Sequence, residues 1–77
     1  MSSTVEKVRE ILAAQLDVDV EKITAETNIA EELGADSLDL VELMMSVEEE
    51  FDITIEEDRV QGFKTVADVA NYIDSAL

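Results

Sequence analysis

The stretch LGADSLDLVELMMSVEEEF, Leu33 to Phe51, decides the reading of this chain. Gly34 suits the end of a short helical turn, because its missing Cβ tolerates a left-handed backbone. Asp36 follows as a cap whose carboxylate can accept free backbone N–H groups, and Asp39 sits three positions on, at the positive end of the macrodipole. Ser37 is therefore the first residue of a helix. At about 100 degrees per residue from Ser37, Leu40, Leu43, Met44, Val47 and Phe51 gather between roughly 240 and 340 degrees and form an ordinary core face. Asp39, Ser46 and Glu50 occupy roughly 180 to 220 degrees and read as solvated surface. A second apolar set, Leu38, Val41 and Met45, falls at about 20 to 140 degrees, interleaved with Glu42, Glu48 and Glu49. A water-soluble helix needs only one apolar stripe. Either these three pack beneath a loop, or they form a docking strip in which apolar contacts give affinity and carboxylates steer a basic partner. Pattern alone favours docking, and the methionine would let differently shaped partners fit.

Outward from this helix, Val5, Val8, Leu12 and Leu16 recur at helical spacing, with Ser3 and Glu6 in the positions of a capping box. Thr65 and Asp68 open a last helix that aligns Val66, Val69, Ile73 and Leu77. A short turn around Glu57 to Gln61 is expected to stop at Gly62. Between Asp17 and Asp36 the periodicity dissolves into a long connection anchored by Val18, Val20, Ile23, Ile29 and Leu33. An ordered loop of that length in a small domain is usually functional. The segment FDITI alternates, but it is too short to build a sheet. The expected fold is all-α: a single domain over residues 1–77, a small bundle of three main helices plus one short helix, with a long first loop.

Composition bounds the chemistry. With no Cys and no His, thiolate and imidazole metal sites and disulfides are excluded by inventory. The formal net charge of -15 disfavours nucleic acid and anionic membrane as partners. Between Lys22 and Arg59 there are thirteen acidic residues and no basic one, a surface suited to basic proteins. The 47% apolar content, with its periodicity, argues against an acidic disordered tail. The N-terminal residues resemble no signal peptide and no span is long enough for a membrane, so a soluble, intracellular chain is expected. A calcium loop beginning at Asp17, Asp19 and Glu21 fails, because Lys22 stands where Gly is needed and Asn28 where a bidentate Glu is needed. A nucleophilic role for Ser37 lacks a His to activate it and a Gly-x-Ser-x-Gly elbow.

Taken together, LGADSLD followed by an acidic, Met-bearing helix resembles the acyl carrier proteins, especially the free-standing kind of type II fatty acid synthesis. The segment ITAETNIAEELGADS is similar to that family's long first loop, and the likeness extends across nearly all 77 residues. The resemblance implies a non-catalytic carrier whose Ser37 bears a covalent 4'-phosphopantetheine arm, added from coenzyme A by a magnesium-dependent transferase. It implies that Asp36 assists at that serine, holding the transferase's metal or shaping its surroundings. Leu38, Val41, Glu42, Met45, Glu48 and Glu49, completed by Ile55 and Glu57 on the short helix, are implied to meet basic patches on synthesis enzymes and on the transferase. An acyl tail is implied to slip between helices near Leu40, Leu43, Val47 and Phe63, where burying alkyl surface offsets the opening of a small core. A monomer in the cytoplasm, or in the plastid stroma of a plant or alga, is the corresponding expectation. The family pattern is broken at Glu56, where Pro is frequent, and at Leu40, which is bulkier than usual beside the acyl tunnel. The rival readings are an unmodified acidic interaction module and a carrier serving polyketide or D-alanyl transfer.

Overall fold

A computed structural model describes residues 3–77. Three long helices, α1 (Ser3–Leu16), α3 (Ser37–Phe51) and α5 (Val66–Ala76), pack around one core; two short ones, α2 (Ile29–Leu33) and α4 (Glu57–Val60), sit in the connections. The bundle is all-α as expected, and it holds one more short helix than the sequence pattern gave. A 3-10 turn at Val20–Lys22 is added in the same first loop.

Each long helix forms because its apolar residues recur every three or four positions and find partners. From α1, Val5, Val8 and Leu12 meet Val66, Val69, Ala70 and Ile73 of α5, while Leu43, Met44 and Val47 of α3 close the third side. The threonine hydroxyl of Thr4 donates to Asp74 at 2.6 Å and ties the two end helices together. Leu77 departs from the expected core stripe: it lies past the end of α5 and is exposed. Ser3 is already inside α1 and is not its cap. The Glu6 carboxylate receives Arg9 instead of closing a capping box.

The long first loop is held at both ends. Ile23 and Ile29 plug into the core, and the Arg9 side chain donates to the backbone carbonyls of Val20 and Ile23. Arg9 thus gives the Ile23 carbonyl a donor and adds a second one to the Val20 carbonyl, which also accepts the Ile23 N–H. Further on, Ile29 N–H donates to the Lys64 carbonyl and Val66 N–H to that of Thr27, clamping the loop to the start of α5. Asn28 and Thr65 form an isolated antiparallel bridge, and no strand occurs among the described residues.

Turn chemistry then aims α3. Gly34 takes φ 71° after α2 and returns its N–H to the Ala30 carbonyl. Asp36 Oδ1 accepts the Asp39 N–H at 3.0 Å and Asp39 Oδ2 accepts the Asp36 N–H at 3.2 Å, a reciprocal box that fixes the first turn. Thr65 and Asp68 repeat the device on α5. The backbone N–H groups of Lys64 and Thr65 hold the Asp68 carboxyl below its ordinary range. α4 has no such cap, and it ends at Val60 before Gly62, which adopts no left-handed conformation.

Candidate functional site

Ser37 stands exposed as the first residue of α3, at the mouth of an open groove of about 490 Å³ between α3 and α4. Leu40, Val41 and Val60 give this groove its apolar wall, and Glu57, Asp58 and Gln61 its polar edge. The Asp36 carboxylate beside the serine accepts the Asp39 N–H and so fixes the helix start. A group attached to the Ser37 oxygen would leave the helix at the end where backbone N–H groups point outward, then run into water or along the groove.

The second stripe is in solvent. Leu38 is 67% exposed, Val41 49% and Met45 58%, which rules out packing beneath the first loop. Glu42 and Glu49 flank it, both exposed, and Glu57 lies across the groove on α4. Three large apolar side chains in a row along one helix face, rimmed by carboxylates, cost solubility unless something covers them.

Two residues expected on that surface are placed differently. Ile55 is only 9% exposed, belongs to the core and precedes α4 instead of lying on it. Glu48 is half-buried, and its Oε2 accepts the Ile55 N–H at 2.7 Å. This carboxylate caps the irregular backbone after α3, so one of its oxygens is committed to the fold.

The four residues expected around an acyl tail are not gathered in one cavity. Leu40 is half-buried and lines the groove by Ser37, whereas Leu43 and Val47 are fully buried among core side chains. Phe63 faces another way: its ring meets Tyr72 edge-on, centroids 5.5 Å apart, while Arg59 lies 5.9 Å above the same tyrosine ring. Val60 and Gln61 were missed as groove residues. Nothing local in the sequence marks them, since only the packing of α4 against α3 brings them to Ser37.

On the opposite flank of α3, Gln15 donates its amide to the Asp39 carbonyl at 2.7 Å. Its Oε1 is out of contact with solvent and accepts no hydrogen bond. No helix among the described residues is long and apolar enough to cross a membrane.

Comparison with known proteins adds an independent line. Residues 6–73 match the family described as the phosphopantetheine attachment site. An acyl carrier protein of Bdellovibrio bacteriovorus is 50% identical over 68 residues, 88% of this chain and 87% of that one. One from Phenylobacterium zucineum is 47% identical over 77 residues, 100% of this chain and 98% of its own. Among solved structures, a candidate acyl carrier protein from Mycobacterium tuberculosis superposes with a TM-score of 0.88 at 34% identity, covering 96% of this chain and 99% of that one. The acyl carrier protein of Enterococcus faecalis superposes at 0.82 with 28% identity, covering 97% and 95%.

Proposed function

Because the chain belongs to the acyl carrier protein family, whose signature is a phosphopantetheine attachment site, we propose that Ser37 is the residue that carries the arm and that the acyl groups serve fatty acid synthesis. The family fixes the coarser statement: this is a non-catalytic carrier, its cofactor is covalent 4'-phosphopantetheine, and it hands acyl chains to enzymes. The arm supplies the thiol that a chain without cysteine lacks, and acyl groups are held on it as thioesters.

The observation that carries the assignment is the exposed hydroxyl of Ser37 at the capped start of α3, opening onto a groove with an apolar wall. The chain's own residues then have separable tasks. Asp36 and Asp39 hold the first turn so that the serine is presented at a constant angle. Leu38, Val41 and Met45 supply apolar contact to basic synthesis enzymes and to the transferase, and Glu42, Glu49 and Glu57 steer their approach. Leu40, Val41 and Val60 shelter the acyl-bearing end along the α3–α4 groove. Passage of a longer alkyl chain toward Leu43 and Val47 requires α4 to move aside, and α4 is four residues long with no side-chain cap. The cytoplasm is the compartment that fits this role.

Incubation with coenzyme A, magnesium and a phosphopantetheinyl transferase tests the proposal. Intact-mass analysis should show one added phosphopantetheinyl group on the wild type and none on Ser37→Ala. Equal modification of both would place the arm elsewhere.

A further inference from the structure

Two grooves meet at α4, one on each side. The groove by Ser37 has Val60 and Gln61 in its far wall, and a second groove, of about 420 Å³, runs between α4 and α5 past Arg59, Phe63, Asn71 and Tyr72. α4 is thus a thin partition, and its position sets the width of the groove that opens at Ser37. Its fastenings are few. It is four residues long, it starts without a side-chain cap, and among the described residues no side chain from Glu57 to Val60 forms a hydrogen bond or an ion pair. Val60 packs half-buried against the core, and one further contact crosses to α5: the Arg59 guanidinium lies over the Tyr72 ring, 5.9 Å from its centroid. That ring is itself anchored. Phe63 meets it edge-on at 5.5 Å, and its hydroxyl donates to the Thr54 carbonyl at 3.4 Å.

We propose that Arg59 on Tyr72 is a latch that holds α4 in its resting position, and that the latch selects acyl tails by length at the Ser37 groove; the second half of this proposal rests on the carrier reading above. A tail that ends within the existing groove of about 490 Å³ needs no movement of α4. A longer one, passing Leu40 toward Leu43 and Val47, needs α4 displaced by about 4 Å, the contact spacing of one alkyl chain against its neighbours. A cation is attracted to a ring within roughly 6 Å of the centroid. Arg59 at 5.9 Å therefore stands at the outer edge of that range, and the displacement that admits a long tail loses the contact. The pair stabilises the resting groove over the widened one by a factor of about two to five, the range for a cation on an exposed aromatic face. Charge alone does not put Arg59 there. In a chain with 20 acidic residues its guanidinium forms no ion pair, although Asp58 is its neighbour in sequence, so packing against the anchored ring sets its position.

The latch is tested first on the unmodified full chain, by amide exchange with solvent measured by NMR. The Gly62 and Phe63 N–H groups donate to the Arg59 and Val60 carbonyls and so report on α4. Arg59→Gln, at an exposed position, should speed their exchange about two- to fivefold while the amides of Val47 and Ile73 in the core keep their rates. Lys64→Gln removes the same charge nearby, and Tyr72→Phe keeps the ring without the hydroxyl; both should exchange close to wild type. Tyr72→Leu should match or exceed Arg59→Gln, and combining the two should add nothing, because each removes one partner of the same contact. The tail is tested next, on protein carrying a butanoyl or a dodecanoyl group on the arm, by the rate at which hydroxylamine cleaves the thioester. Arg59→Gln should slow cleavage of the dodecanoyl form by up to the same two- to fivefold, since the long tail is drawn in more often, and leave the butanoyl form unchanged. Wild-type exchange at Gly62 and Phe63 in Arg59→Gln, additive effects of Arg59→Gln and Tyr72→Leu, or a dodecanoyl rate unmoved by Arg59→Gln would each overturn the proposal. Refusal of the arm at Ser37 would strike the carrier reading instead, and the exchange comparison would still decide whether the latch exists.

Discussion

Replacing Asp36 by alanine should loosen the start of α3 by an amount the capping geometry sets. The change removes the acceptor that holds the Asp39 N–H at 3.0 Å, which costs about 1 kcal/mol, within a range of roughly 0.5 to 2. It also removes a carboxylate from the positive end of a 15-residue helix, costing another 0.3 to 1 kcal/mol or so. Against these stands relief of self-repulsion in a chain of net charge -15, which acts in the opposite direction. Asp36→Asn separates the terms: it keeps the acceptor and drops the charge, and should unfold close to wild type. The alanine variant should then lie about 1 kcal/mol below the asparagine variant. In a chain of this size that is a Tm lower by about 4 to 8 °C and a urea midpoint lower by about 1 M, read by circular dichroism. The same variant should accept the pantetheine arm more slowly than Asp36→Asn, because Ser37 is then presented on a fraying turn. If the alanine and asparagine variants unfold together, the box contributes nothing and the account of how Ser37 is positioned is wrong.

Three further outcomes follow from the same structure. Arg9→Leu should cost about 2 kcal/mol, since it leaves the carbonyls of Val20 and Ile23 without their charged donor; hydrogen exchange should rise first at residues 20–23. Asp52→Gly should stabilise by about 0.5 to 1 kcal/mol in urea unfolding, because Asp52 sits at φ 54° at the negative end of α3, where a side chain and a negative charge are both unfavourable. For pH, the Asp68 carboxyl is depressed in the folded state, so its contribution is present above the ordinary value of 3.8 and is lost as pH falls through the folded value. Falling pH also relieves repulsion among the other carboxylates, so stability should first rise below neutrality and then decline below about 4. Asp68→Asn should show the rise with a shallower decline; parallel acid limbs for both proteins would contradict the assignment.

What could be read from residues alone was whatever depends on neighbours within about one helical turn. The caps at Asp36 and Thr65, the left-handed Gly34 and the division of α3 into a core face and an exposed stripe all follow from spacing, and the structure bears each of them out. Burial of Ile55, the inward turn of Glu48 and the exposure of Leu77 depend on how the chain returns after each helix, which periodicity does not encode. The four residues expected around an acyl tail lie apart in this structure for a related reason. Leu40 and Phe63 were grouped by likeness, whereas Leu40 on α3 and Phe63 in the connection between α4 and α5 line different grooves. A groove between α1 and α3, lined by Ile11, Ala14 and Met45, was invisible because it exists only once two helices distant in sequence lie side by side. The short helix α2 was half-visible, through its terminating glycine and not through its own five residues.

The most direct test is to locate the arm. The chain has serines at positions 2, 3, 37, 46 and 75, which give a modification reaction several hydroxyls to choose among. Fragmentation mass spectrometry of the transferase-treated protein should place a single phosphopantetheinyl group on Ser37 and leave the others bare. A group found at Ser46 or Ser75, or no group at all where another carrier is modified in the same tube, would contradict the account.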